Sequence, residues 1–163
     1  MSGNLRSPNS PDVVVDGTGR RIALVCARFN DLIVEQLECG ARRALVEHGV
    51  ADDAISTFWV PGALEIPQVA RAAASSGRFD AVVALGAVVR GDTYHFEVVS
   101  DASASGLMQL SLDSDVVITN AILTVDDEAQ ALVRSGDDDG NKGGQAALAA
   151  LETLSVVDSI RRE

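Results

Sequence analysis

Cysteine, aromatic residues and positive charge are all scarce in this chain. Two cysteines, Cys26 and Cys39, are too few and too separated for a disulfide framework, and Cys26 lies inside an apolar run where a thiol serves as a small core side chain. Aromatics make up 4% of 163 residues against 47% hydrophobic overall and 14 glycines, a balance that excludes a fibrous or disordered chain and suits an α/β domain rich in Ala, Val and Leu. Thirteen basic residues face 24 acidic ones. The formal charge of −11 repels polyanions and leaves no basic stripe, so nucleic acid is excluded as a partner. No apolar run approaches the roughly 18 residues of a membrane span, and the N-terminus lacks a basic-then-apolar signal, so no membrane association is expected and the expected location is cytoplasmic. A small anionic substrate stays compatible with this charge if a few Arg, Lys or backbone N–H groups converge on one spot.

The length allows one domain with one sizeable core. Residues 1–19 collect Ser, Asn, Gly and two prolines around Val13-Val14-Val15 and read as an arm; residues 20–163 read as a single domain. In that domain β-like runs alternate with helix-period segments, as in βα units around a parallel sheet. The runs are 22–27, apolar without alternation as a strand covered on both faces should be, then 55–60, 81–89 and 116–123. Between them Ile33, Leu37, Ala41, Ala44 and Leu45 mark a first helix, with Asn30 or Asp31 placed to cap it, and Leu64, Val69, Ala70 and Ala73 a second, with Pro67 in its first turn. A third helix runs from about His95 to Leu112, with Phe96, Val99, Ser103, Leu107 and Leu110 on one face. Ala129, Leu132 and Val133 suggest a fourth and residues 146–160 a fifth, with the polar loop 136–140 between.

Ligands of open parallel sheets bind beyond the carboxyl ends of strands, where loops converge and helix N-termini present free N–H groups. Three such loops carry Arg28-Phe29-Asn30, Pro61-Gly62-Ala63-Leu64-Glu65 and Gly91-Asp92-Thr93-Tyr94-His95. The run from Gly86 to Thr93 is no nucleotide-binding loop, because Asp92 stands where a lysine must reach the phosphates. That turn can still cradle a small phosphate with the N–H groups of Asp92 and Thr93 and the Thr93 hydroxyl, or serve as an ordinary helix cap. His95, beside it, can shuttle protons or be structural; His48, at a helix end, needs no role beyond a cap. Phe29 is either a core aromatic or a face for a flat ligand. Glu65 either favours a helix start or binds sugar hydroxyls.

At these residues the sequence resembles the 6,7-dimethyl-8-ribityllumazine synthase family. The ordered match runs from about Arg21 to Leu151: Arg28-Phe29-Asn30, the segment Val60 to Pro67, the segment Gly86 to Glu97, Leu123-Thr124, Gln130-Ala131 with Arg134, and Asn141-Lys142-Gly143. Each triplet is weak; their ordered combination is specific. The resemblance implies a three-layer αβα, flavodoxin-like α/β fold with a four-stranded parallel sheet and an N-terminal arm that adds a strand to a neighbouring subunit. It implies condensation of a ribitylamino-pyrimidinedione with a ketone phosphate, without metal or organic cofactor. By it Phe29 stacks on the pyrimidine, and Ala63, Leu64, Glu65, Val88 and Val89 hold the ring and ribityl chain. Asp92, Thr93 and Arg134 bind phosphate, His95 moves protons, and Lys142 lends positive charge.

The family's pentamers place active sites between subunits, so Asn120, Arg134 and Lys142 are expected to complete the pocket of a neighbour. Asn120 stands where many members place a phenylalanine, and Ala129 where a glutamate is usual. The short stretch 136–143 leans toward a shell of twelve pentamers, and packaging of riboflavin synthase inside stays open. Two rivals are a non-catalytic flavin- or lumazine-binding module and a structural shell protein with lapsed catalysis.

Overall fold

The computed structural model describes residues 6–162. Four strands, β1 (Ile22–Ala27), β2 (Ile55–Val60), β3 (Ala81–Val89) and β4 (Val117–Val125), form a parallel sheet in the order β2-β1-β3-β4. Ile22 pairs with both Ile55 and Ala81, and Ala81 with Val117, so the four strands start level. Five helices connect and flank them: α1 (Asp31–Glu47), α2 (Ile66–Ser75), α3 (His95–Asp113), α4 (Glu128–Ser135) and α5 (Lys142–Arg161).

The period of two in a strand divides β1 between two cores. Ile22, Leu24 and Cys26 join the side covered by α1 and α5, while Ala23, Val25 and Ala27 join the side covered by α2 and α3. This is the three-layer αβα, flavodoxin-like arrangement, with a core on each face of the sheet. Leu24, Leu37, Leu45, Leu85 and Leu151 are fully buried on the first side, each contributing about 1.5–3 kcal/mol relative to exposure. Burial pushes the Cys26 thiol up to about 12, so it stays protonated and packs as an apolar group.

Several elements differ from the sequence-based reading. β4 extends to Val125 because β3 runs to Val89 and offers it a ladder to the end. Leu64 does not join the apolar face of α2: residues Ala63–Glu65 form a separate 3₁₀ turn, and α2 begins at Ile66 with Pro67 in its first turn. α5 begins at Lys142, four residues earlier than the apolar pattern suggests, because Asn141 caps it by accepting the Gly144 N–H at 3.0 Å. α4 buries Ala131 and Ser135, whereas Leu132 and Val133 face outward.

Residues 6–20 form no strand. Val15 packs against the core, Val13 and Val14 are exposed, and the Gly17 N–H donates to the His48 carbonyl at 2.7 Å. His48 ends α1 as expected, with Nδ1 2.8 Å from the Ala44 carbonyl. Among the described residues no helix is long and apolar enough to cross a membrane.

Candidate active site

The ends of β1, β2 and β3 are tied into one platform. The Arg28 N–H donates to the Val60 carbonyl at 2.8 Å and the Phe29 N–H to the Pro61 carbonyl at 3.1 Å, fastening the loop after β1 to that after β2. On the other side the Asn30 side-chain amide donates to the Ala87 carbonyl of β3 at 2.8 Å. Asn30 sits in the left-handed region (φ 60°) at the N-cap position of α1, but its side chain caps nothing; only its carbonyl enters the helix, accepting from Ile33 and Val34. The expected capping side chain is therefore spent on a link across the sheet, at the point between β1 and β3 where the chain's winding direction reverses.

Above this platform lies an open cavity of about 420 Å³. Phe29, Asn30, Ala63, Leu64, Glu65, Val88, Val89, Thr93 and His95 line it, with Phe96 and Val99 from α3 behind. The walls are chiefly apolar with few polar groups, the composition of a small-molecule site. Phe29 is 74% exposed and packs into no core, because its backbone is held by neighbouring loops while its ring is left free. Leu64, displaced from α2 by the 3₁₀ turn, reaches the cavity for the same reason that it missed the core. Glu65 lies over Gly62, where a Cβ would come within 3.2 Å of its Oε2.

His95 opens α3, and its N–H donates to Thr93 Oγ1 at 3.4 Å, so the hydroxyl ties the turn to the helix start. Asp92 is exposed beside that turn and does not line the cavity.

Asn120, Arg134 and Lys142 lie elsewhere. They line a second depression along the free edge of β4, walled by α4 and α5, which shares no lining residue with the first. Arg134 donates to the Gln130 carbonyl at 2.9 Å, and Lys142 Nζ donates to Gln145 Oε1 at 2.8 Å. Asn120 turns its side-chain oxygen onto the Ile122 N–H at 2.7 Å, satisfying an edge-strand donor. Within one chain these three residues do not meet Phe29, Glu65 and His95.

Residues without an assigned role in the sequence reading hold both halves in place. Arg90 ion-pairs with Glu97 and, at 2.9 Å, with Asp126, and its guanidinium lies 4.1 Å from the centre of the Phe96 ring. It thus links the first turn of α3, two residues past His95, to the turn before α4, which carries Arg134. The Arg90 guanidinium holds the Glu97 carboxyl below the usual range. Arg90 stands in the motif from Gly86 to Glu97 together with Phe96 and Glu97, but Asp126 joins them only in space. Among the described residues no group of three or more His, Cys, Asp or Glu is placed to hold a metal ion.

A parallel sheet whose strand ends open on an apolar cleft, rimmed by an exposed aromatic, a carboxylate and an imidazole, defines a flavodoxin-like protein with a cleft of small-molecule size at the carboxyl ends of its strands. The family model described as 6,7-dimethyl-8-ribityllumazine synthase matches residues 19–158. A protein of Gemmatimonas aurantiaca bearing that name is 53% identical over 142 residues, 87% of each chain. Another from Leuconostoc mesenteroides is 45% identical over 148 residues, 91% of this chain and 95% of the relative, and one from Anaeromyxobacter sp. (strain K) is 49% identical over 146 residues, 90% of each. The chain belongs to the 6,7-dimethyl-8-ribityllumazine synthase family.

Proposed function

We propose that the chain condenses 5-amino-6-ribitylamino-2,4(1H,3H)-pyrimidinedione with 3,4-dihydroxy-2-butanone 4-phosphate, giving 6,7-dimethyl-8-ribityllumazine, phosphate and water, the penultimate step of riboflavin biosynthesis. It is a transferase. The observation that carries this reading is that Phe29, Glu65 and His95, from three separate strand-end loops, line one cavity in a member of this family.

In that cavity Phe29 stacks on the pyrimidine ring, Glu65 accepts hydrogen bonds from ribityl hydroxyls, and Ala63, Leu64, Val88 and Val89 hold the ring and chain largely through backbone groups. Asp92 and Thr93, at the N-terminal end of α3, receive the phosphate, with the positive helix end assisting. The substrates bring their own amine and carbonyl. Holding them together is worth roughly 7–11 kcal/mol in favourable cases, and proton transfer by His95 assists imine formation, phosphate loss and ring closure by about 100- to 10,000-fold.

The separation of the two depressions supports a site shared between subunits, with Asn120, Arg134 and Lys142 of one chain completing the cavity of the next in a cytoplasmic homopentamer. The arm around Val13-Val14-Val15 adds a strand to a neighbour's sheet, whose outer strands β2 and β4 both present a free edge. Pentamers stack into an icosahedral shell, in which riboflavin synthase is a candidate guest. A non-catalytic flavin- or lumazine-binding module would use Phe29 and Glu65 and leave His95 without a task.

The test mixes purified protein with both substrates and follows absorbance, product identity and phosphate release against the slow uncatalysed reaction. Accelerated lumazine formation is expected. A folded oligomer that gives no acceleration would leave the binding module or an inert shell as the better reading.

A further inference from the structure

β1 and β3 pair from Ile22 and Ala81 up to Cys26 and Leu85, and there their ladder stops. β3 continues to Val89 with only β4 beside it, so the Ala87 carbonyl emerges on the side where β1 has ended. The Asn30 amide takes that carbonyl at 2.8 Å, across 57 residues of sequence, and so replaces the missing strand donor. The left-handed turn does not need this side chain: glycine adopts φ 60° freely, and the helix start is served by the Asn30 carbonyl alone. Among the described residues Asn30 is the one non-glycine with positive φ, and asparagine is the side chain that tolerates it while supplying a donor. Its neighbour Phe29 is tied through its own N–H to the Pro61 carbonyl, so the backbone that carries the exposed ring is held on both sides.

We propose that Asn30 is a positioning residue for the pyrimidine half of the site, its side-chain hydrogen bond to the Ala87 carbonyl fixing the backbone from which the Phe29 ring projects into the cavity that Val88 also lines. The inference rests on the function proposed above. Asn30→Gly keeps the turn and removes the amide; Asn30→Asp keeps the size and turns an acceptor toward the Ala87 carbonyl. Both variants raise KM for the pyrimidinedione, by on the order of three- to tenfold for a lost neutral bond and by more for Asp, while KM for the ketone phosphate stays within about twofold. The dissociation constant of 6,7-dimethyl-8-ribityllumazine, read by its fluorescence without turnover, rises by the same factor.

Asn30→Gly that matches the parent in both readouts overturns the proposal, as does an equal rise in both KM values accompanied by a lowered melting temperature, which marks a general structural role. A parent protein that binds the lumazine but never forms it sinks the catalytic reading alone, and the affinity ratio still decides on Asn30. Neither binding nor turnover overturns both.

Discussion

Gly40 of α1 lies so close to Asn141 that a Cβ there would come within 2.2 Å of the Asn141 side-chain oxygen. Asn141 fills that space with a buried amide that donates to the carbonyls of Gln36 at 3.1 Å, Ser135 at 3.1 Å and Gly136 at 3.0 Å, while its oxygen caps α5. One side chain therefore fixes the end of α4, the start of α5 and their seat on α1. Beside it, a Cβ on Gly143 would lie 2.1 Å from the Leu37 carbonyl. The run Asn141-Lys142-Gly143 is thus a packing joint that delivers Lys142 to the surface.

Asn141→Ala is expected to lower stability by about 2–4 kcal/mol, the sum of a lost cap and buried carbonyls left short of donors. Gly40→Ala destabilises by a different route, the clash with the amide. Urea unfolding of both variants and of the double variant tests this. The double variant should be less destabilised than the sum, because removing the amide makes room for the methyl. Strict additivity would show that the two residues do not compete for one space.

His95→Ala should lower kcat by roughly a hundredfold or more with small changes in KM, as the loss of a proton carrier does. Arg134→Ala should chiefly raise the KM for the ketone phosphate. Steady-state kinetics with each substrate varied in turn separates the two, and equal effects on both parameters in both variants would contradict the division of roles.

In the proposed site shared between subunits, with His95 and Arg134 on different depressions of one chain, their defects should complement in trans. Unfolding a mixture of His95→Ala and Arg134→Ala chains and refolding them together should restore activity at about a quarter of the sites of a randomly mixed ring. Activity no higher than that of the separately refolded variants would argue for sites contained within single subunits.

Acid should weaken the fold through two ion pairs. Arg90 holds the Glu97 carboxyl low, first by its hydrogen bond, and Arg20 does the same for Asp158. A carboxyl with a lower pKa folded than unfolded adds stability above its ordinary value and loses it as pH falls through the folded value. Stability should therefore decline as pH drops below 4.5 and 3.8, the ordinary values of the two groups. Thermal melts across this range should show a shallower acid limb in Glu97→Gln/Asp158→Asn; an unchanged limb would assign the loss to other carboxylates.

The strands, the two-sided burial of β1 and the loops that carry Phe29, Glu65 and His95 were legible from apolar runs and the turn residues that end them. Leu64 misled because its apolar side chain fits the helix period after Pro61-Gly62, yet a 3₁₀ turn intervenes. Leu132 and Val133 misled in the opposite sense: they are apolar at helical spacing, but the small Ala131 and Ser135 are what α4 presses inward. Arg90 and Asn141 were visible as motif members without a visible reason, since their partners come from several elements.

By itself the sequence determined the α/β class, the parallel layers, and the strand-end loops whose Phe29, Glu65 and His95 line the cavity. Those features follow from hydrophobic period and turn chemistry, which act over a few residues. The tertiary structure alone decided that Asn30 reaches Ala87, that Asn141 fills the space over Gly40, and that Arg134 and Lys142 open on a different surface from His95. The strand order β2-β1-β3-β4 sets which distant loops become neighbours, and a side chain's local pattern does not encode the partner that the strand order brings to it.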